Sequence, residues 1–177
     1  METKFKQSKL KGALVSAVLV GTASLTLPAY AATATGTMAV STSVLMSCNI
    51  SAGAMTFASY DPTASADNDA TATITSTCTT GGAAVITMGQ GNADKSGSTA
   101  ASPLRAMFNA EMDEELLYQV YSDSAGGTVW GDTAATGKAI TADGTAQAFT
   151  AYGRIPKNQT GITAGTFTDS VAVTLTY

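Results

Sequence analysis

The sequence predicts an all-β fold made of two packed sheets. Three observations carry this. Short runs alternate with period two, clusters of Gly, Asp, Ser and Asn separate them, and helical periodicity is scarce. The length of 177 residues allows one domain with a tail. Charged residues make up 12% of the chain, about half the usual share. With no histidine, a Ser-His-Asp triad, a His-ligated zinc site and an imidazole base are all excluded. The formal charge of −4 argues against nucleic acid as a partner, because phosphates demand basic surface.

The first thirty-one residues read as a secretory leader, not as part of the fold. Lys4, Lys6, Lys9 and Lys11 form a positive start, and residues Ala13 to Leu27 form an apolar stretch. Ala29-Tyr30-Ala31 places small residues where a signal peptidase reads them, so cleavage is expected after Ala31. The competing reading, a membrane anchor, fails on length, because the run is shorter than the roughly 20 residues a span needs. The remaining 146 residues carry five basic and twelve acidic side chains, a formal charge of −7. That suits a soluble exported chain with nothing to offer anionic partners.

Residues 32–46 follow the leader as a first, separate strand-like segment. Met38, Val40, Thr42 and Val44 alternate with Ala39, Ser41 and Ser43, and no charge interrupts them. Exposed edge strands normally carry Lys, Pro or a bulge against pairing with other chains. This one has no such protection. It therefore either pairs with another end of the same domain or completes the sheet of a neighbouring molecule.

Residues 47–177 form the domain proper. Cys48 and Cys78, thirty residues apart, lie outside any CxxC motif. In an exported chain they are expected to oxidise to a structural disulfide, not to persist as reactive thiols. Further on, Ala72, Ile74 and Ser76 alternate with Thr73, Thr75 and Thr77. Val85 to Met88 is a short run of buried type, and Leu116 to Tyr121 is aromatic and β-branched. Phe149 to Tyr152 is another strand candidate. At the end, Val171, Val173, Leu175 and Tyr177 face one way, and Ala172, Thr174 and Thr176 the other. The acidic stretch Ala110 to Leu117 reads as a turn leading into a strand, and Asp61–Ala70 and Gly89–Ser102 as long polar loops. About seven short strands at this length suggest an immunoglobulin-like β-sandwich.

Other residues read structurally. Trp130 reads as a core or turn residue, not an exposed binding surface. Arg154 is expected to pair with an acid, and Pro156 to Gln159 to make a turn. Asp67-Asn68-Asp69 lacks the spacing and closing Glu of a calcium loop, so a solvated loop is expected. Asp143-Gly144-Thr145 reads as a turn, its order and single copy being wrong for an aspartic protease. Asn49-Ile50-Ser51 and Asn158-Gln159-Thr160 are chance matches to a glycosylation sequon. No cofactor is called for, and no pair of acids stands out for carboxylate-based hydrolysis, so the chain does not read as an enzyme.

Six segments in order carry a resemblance. They are Phe57-Ala58-Ser59-Tyr60-Asp61-Pro62, Thr77 to Gly81, Leu117 to Asp123, Val129-Trp130-Gly131-Asp132, Tyr152 to Gln159, and Gly165 to Tyr177. Together they resemble the spore coat protein U family, which includes subunits of archaic (Csu-type) chaperone–usher pili. The resemblance implies an incomplete immunoglobulin-like sandwich, completed by donor-strand exchange. It implies a periplasmic chaperone, an outer-membrane usher and neighbouring subunits as partners, and a fimbrium at the cell surface as destination. The donor would be the segment holding Met38, Val40, Thr42 and Val44. The strand holding Val171, Val173, Leu175 and Tyr177 would border the groove. Burying Met38, Val40 and Val44 would contribute on the order of 5–9 kcal/mol gross, and a head-to-tail contact that does not close gives a filament. A structural pilus subunit serving adhesion and biofilm formation is the leading functional expectation. The alternatives are a coat protein that does not polymerise and a ligand-binding adhesin.

Overall fold

A computed structural model describes residues 31–177. The expected leader lies outside them, apart from its last residue. The chain divides into a unit ending at Ser41 and a second unit, Thr42–Tyr177. Residues 31–47 contain no strand, and all but Met46 are exposed. The strand expected over residues 33–46 is therefore not formed within one chain. Neither sheet includes it. An uncharged, β-prone segment has nothing to gain from an extended conformation until another strand supplies hydrogen-bond partners.

The second unit holds eight strands: β1 (Cys48–Ala52), β2 (Asn68–Cys78), β3 (Ala83–Met88), β4 (Arg105–Asn109), β5 (Glu114–Tyr121), β6 (Lys138–Thr141), β7 (Ala146–Ile155) and β8 (Val173–Thr176). One sheet runs β1-β2-β7-β5-β4 and the other β6-β3-β8. Every pairing is antiparallel. No helix occurs among the described residues. The order β1-β2-β7-β5 facing β3-β8 matches the A-B-E-D and C-F strands of an immunoglobulin-like sandwich. The protein is an all-β sandwich of that type.

The long strands follow their alternation. In β2, Ile74 and Ser76 turn inward, both almost wholly buried, while Asp69, Thr71, Thr73 and Thr77 face water. In β5, Leu116, Tyr118 and Val120 do the same, and in β7 Ala151, Gly153 and Ile155. β3, central in its sheet, is buried on both faces from Ile86 to Met88, as its unbroken apolar run requires. The inward faces meet in one core around Ile74, Ile86, Leu116, Trp130 and Ile155. Residues 110–113 form a turn before β5.

Three strands escape the alternation and were not foreseen. β1 offers one inward apolar side chain, Ile50. β6 spans four residues. β4 is buried on both faces at its start, with the charged Arg105 inside. Of the two expected loops, Gly89–Ser102 stays outside the strands, whereas Asp61–Ala70 is trimmed because Asn68 to Ala70 belong to β2; the C-terminal strand begins at Val173, not Val171.

Cys48 and Cys78 lie directly opposite each other in the β1–β2 ladder and are disulfide-bonded. Trp130 is fully buried, and its indole N–H donates to the Ile86 carbonyl at 2.8 Å. Arg154 forms a bidentate pair with Asp69, both contacts 2.7 Å, and approaches Asp67 at 3.3 Å. Asp67 Oδ1 also accepts the Lys157 N–H at 3.0 Å, and Asn68 donates to the Ala58 carbonyl at 2.8 Å. The expected solvated loop at Asp67-Asn68-Asp69 is thus corrected: its polar groups bind β7 and the adjoining connections. Asp143 accepts from the Thr145 N–H and hydroxyl, both at 2.8 Å, and Gly144 sits at φ +85°. That is a side-chain-stabilised turn.

Candidate functional site: an open groove between the sheets

β8 has β3 on one side. Among the described residues no strand pairs with its other edge, the place where strand G follows F in a complete sandwich. Beside it the sandwich opens into a cavity of about 1010 Å³. The cavity takes Ile74, Leu116, Tyr118, Val120, Ala151 and Ile155 from the five-stranded sheet, and Met88 and Val173 from the other. Two connections complete the lining, residues 52–60 with Met55, Phe57 and Tyr60, and residues 162–171 with Ile162, Phe167 and Val171.

Well-packed interiors hold few voids larger than a water molecule. Here a set of large apolar side chains is packed on one side only. Met55, Phe57, Met107, Ile162, Phe167, Val171 and Val173 touch the core but remain partly exposed. The groove therefore presents two unmet demands together: apolar surface, and a strand edge whose backbone groups lack partners.

Local features hold it open. The Gly53 N–H donates to the Thr73 carbonyl at 2.8 Å, extending the β1–β2 pairing by one residue before the chain leaves the sheet. It then crosses β7 at Gly153, where an added Cβ would strike the Met55 thioether and lie 2.7 Å from Phe57. Phe57 packs edge-on against Tyr118, ring centroids 6.2 Å apart. On the other side, Thr168 pairs with Phe108 of β4 through two backbone bonds of 2.8 and 3.1 Å. The chain then changes sheets to become β8. Asp169 fastens this crossing. It accepts from the Tyr118 hydroxyl at 2.6 Å, the Asn92 N–H at 2.8 Å and the Ser170 N–H at 2.7 Å. Burial, with the bond to Asp169 second, pushes the Tyr118 phenol well above its ordinary value.

Arg105 supports the groove from behind. It is almost wholly buried. Its guanidinium donates to the carbonyls of Gly89 at 2.7 and 2.9 Å, Met88 at 3.0 Å and Trp130 at 2.7 Å, and to Gln119 at 2.5 Å. Burial pulls its pKa down to about 10, so it is still charged at neutral pH. A guanidinium supplies five donors in a fixed fork. Here they join the β4 edge of one sheet to the end of β3 in the other.

Of the residues singled out in the C-terminal strand, Val171 and Val173 line the cavity. Leu175 continues the same face, half-buried, and Tyr177 is 58% exposed beyond it. Met38, Val40 and Val44 are 80% exposed or more, and Thr42 is exposed as well. Residues 52–60 and 162–170 were missed as lining. Their signal was available in the alternation of Met55 and Phe57 within a charge-free stretch from Met46 to Tyr60.

An immunoglobulin-like sandwich with an open groove narrows the field, and the sequence match decides it. Residues 34–174 match the Spore Coat Protein U domain. The chain belongs to the spore coat protein U family. Family membership agrees with a curated relative, "Protein U" of Myxococcus xanthus. It is 36% identical over 178 residues, covering 93% of this chain and 99% of the relative. Among solved structures, a similar chain occurs in the CsuC–CsuE chaperone–tip adhesion subunit pre-assembly complex from archaic chaperone–usher Csu pili of Acinetobacter baumannii. The TM-score is 0.56 at 19% identity, over 76% of this chain and 40% of that one. At that identity the likeness establishes the sandwich fold.

Proposed function

We propose that this family member is a structural subunit of a surface fimbrium, exported through the periplasm and assembled by strand exchange. The groove of one copy takes residues 33–46 of the next, with Met38, Val40, Thr42 and Val44 turned into it. The observation that carries this is the match of two unmet demands in one chain: an apolar groove beside the free edge of β8, and an exposed, charge-free segment of alternating pattern outside both sheets. Each can satisfy the other between molecules, and repetition gives an open filament. Before assembly, a groove this apolar needs a temporary occupant. A periplasmic chaperone fits that need, as in the chaperone–subunit complex of similar fold, and an outer-membrane usher would direct the handover. Adhesion and biofilm formation are the roles such a fibre serves. The leader, residues 1–31, would be removed on export, the donor segment is 32–46 and the sandwich domain 47–177. The reading assigns no catalytic step to the chain.

The family's description as a spore coat domain favours a second reading, a coat protein that does not polymerise. The two separate on one substitution. Val40→Asp places a charge where the donor must be dry. The exported wild-type chain should form a ladder of denaturant-resistant oligomers, and Val40→Asp should abolish the ladder while leaving a folded subunit. A mutant that assembles as well as wild type defeats the donor assignment. A wild type without oligomers favours the coat reading.

A further inference from the structure

We propose that Met38 is an oxidation-sensitive site that controls assembly: conversion of its thioether to the sulfoxide closes the strand-exchange route. The inference rests on the donor reading above and adds a chemical control to it. Met38 is 87% exposed, the most exposed of the large apolar side chains among the described residues. It heads the alternating face that continues through Val40, Thr42 and Val44. The other described methionines differ in access. Met88 is buried, Met46, Met55 and Met107 are partly buried against the core, and Met112 is 45% exposed in the turn before β5, away from the groove. A peroxide reaching an unassembled subunit thus meets Met38 with the least obstruction.

The chemistry is a two-electron oxygen transfer. The Met38 sulfur attacks one oxygen of hydrogen peroxide, the O–O bond breaks, an S–O bond forms, and water leaves after proton transfer. The thioether is oxidised and the peroxide reduced. The product carries a strong acceptor oxygen in place of a soft apolar atom. The groove it must enter is lined by Met, Phe, Ile, Leu and Val side chains. The N–H groups on the free edge of β8 are needed for the incoming backbone. Burying an acceptor without a partner weakens docking by about tenfold to a hundredfold. Once a donor strand is seated, its apolar face is covered and the sulfur is protected. Oxidation therefore acts on subunits and spares finished fibre.

The test uses assembly of the full exported chain, with synthetic peptides of residues 33–46 as competitors. One peptide is native and one carries the sulfoxide at position 38. The native peptide should suppress oligomers, and the sulfoxide peptide should need about ten to a hundred times more. In parallel, unassembled wild type, Met38→Leu and Met112→Leu chains are treated with hydrogen peroxide and mapped by mass spectrometry. Each chain is compared with its own untreated sample: wild type and Met112→Leu should lose assembly in step with oxidation at residue 38, and the assembly of Met38→Leu should not change on treatment. If the sulfoxide peptide competes as well as the native one, or if Met38→Leu is as peroxide-sensitive as wild type, the inference is overturned. If the native peptide does not compete, the donor reading itself fails and the inference falls with it.

Discussion

At the scale of single residues, the contacts that shape the groove are those with the weakest sequence signal. Arg105 stands in a pattern without alternation, and its acceptors at Met88, Gly89 and Trp130 are reached only after the chain has folded. Nothing in its neighbours marks it as buried. Trp130 and Arg154 were easier. A lone tryptophan favours the core, and an arginine among acids favours a pair. Both expectations hold, although the acids on Arg154 turned out to be those of the presumed solvated loop. Arg105 yields a sharp prediction. Arg105→Ala strands several buried carbonyls at once and should cost about 3–5 kcal/mol, on the scale of breaking a buried charged network. A urea titration of the disulfide-intact protein measures it. A loss below about 1 kcal/mol would mean that those carbonyls find water or other donors.

At the scale of elements, legibility followed the balance of faces. β2, β5 and β7 each have one face in the core and one in water, so their period of two was visible. β4 is covered on both sides at Arg105 and Ala106, and β6 is too short to show a period. β1 holds its place by means that hydropathy does not record. Among the described residues it is an edge strand paired only with β2, and the Cys48–Cys78 bond pins its first residue to the last residue of β2. The bond closes a loop with a sequence separation of 30, worth roughly 3.5 kcal/mol by the chain-entropy argument. Losing it should release β1 and, with it, residues 52–60, which line the groove. Cys48→Ser is therefore expected to lower both the yield of exported subunit and its assembly. Normal yield, together with a titratable thiol at Cys78 in the wild type, would contradict that role.

At the scale of the whole molecule, the sandwich is paired within its sheets and unsatisfied at one seam. The sequence shows the proposed donor half of that seam openly, because an uncharged alternating segment lacks every usual device against pairing. It shows the groove half poorly, because a groove is made by what the fold leaves out, and its lining comes from seven strands and two connections far apart in the chain. The two halves can be separated experimentally. A chain trimmed of residues 32–46 after its leader keeps both sheets and the cavity, since all eight strands lie beyond that segment. It should be unable to donate and still able to accept. Adding the native peptide of residues 33–46 should therefore raise its melting temperature. At a peptide concentration of 100 times Kd, the gain is about 2.7 kcal/mol, and the Val40→Asp peptide should give little. A trimmed chain that is fully stable alone, with a melting temperature indifferent to the peptide, would show that the seam is already closed.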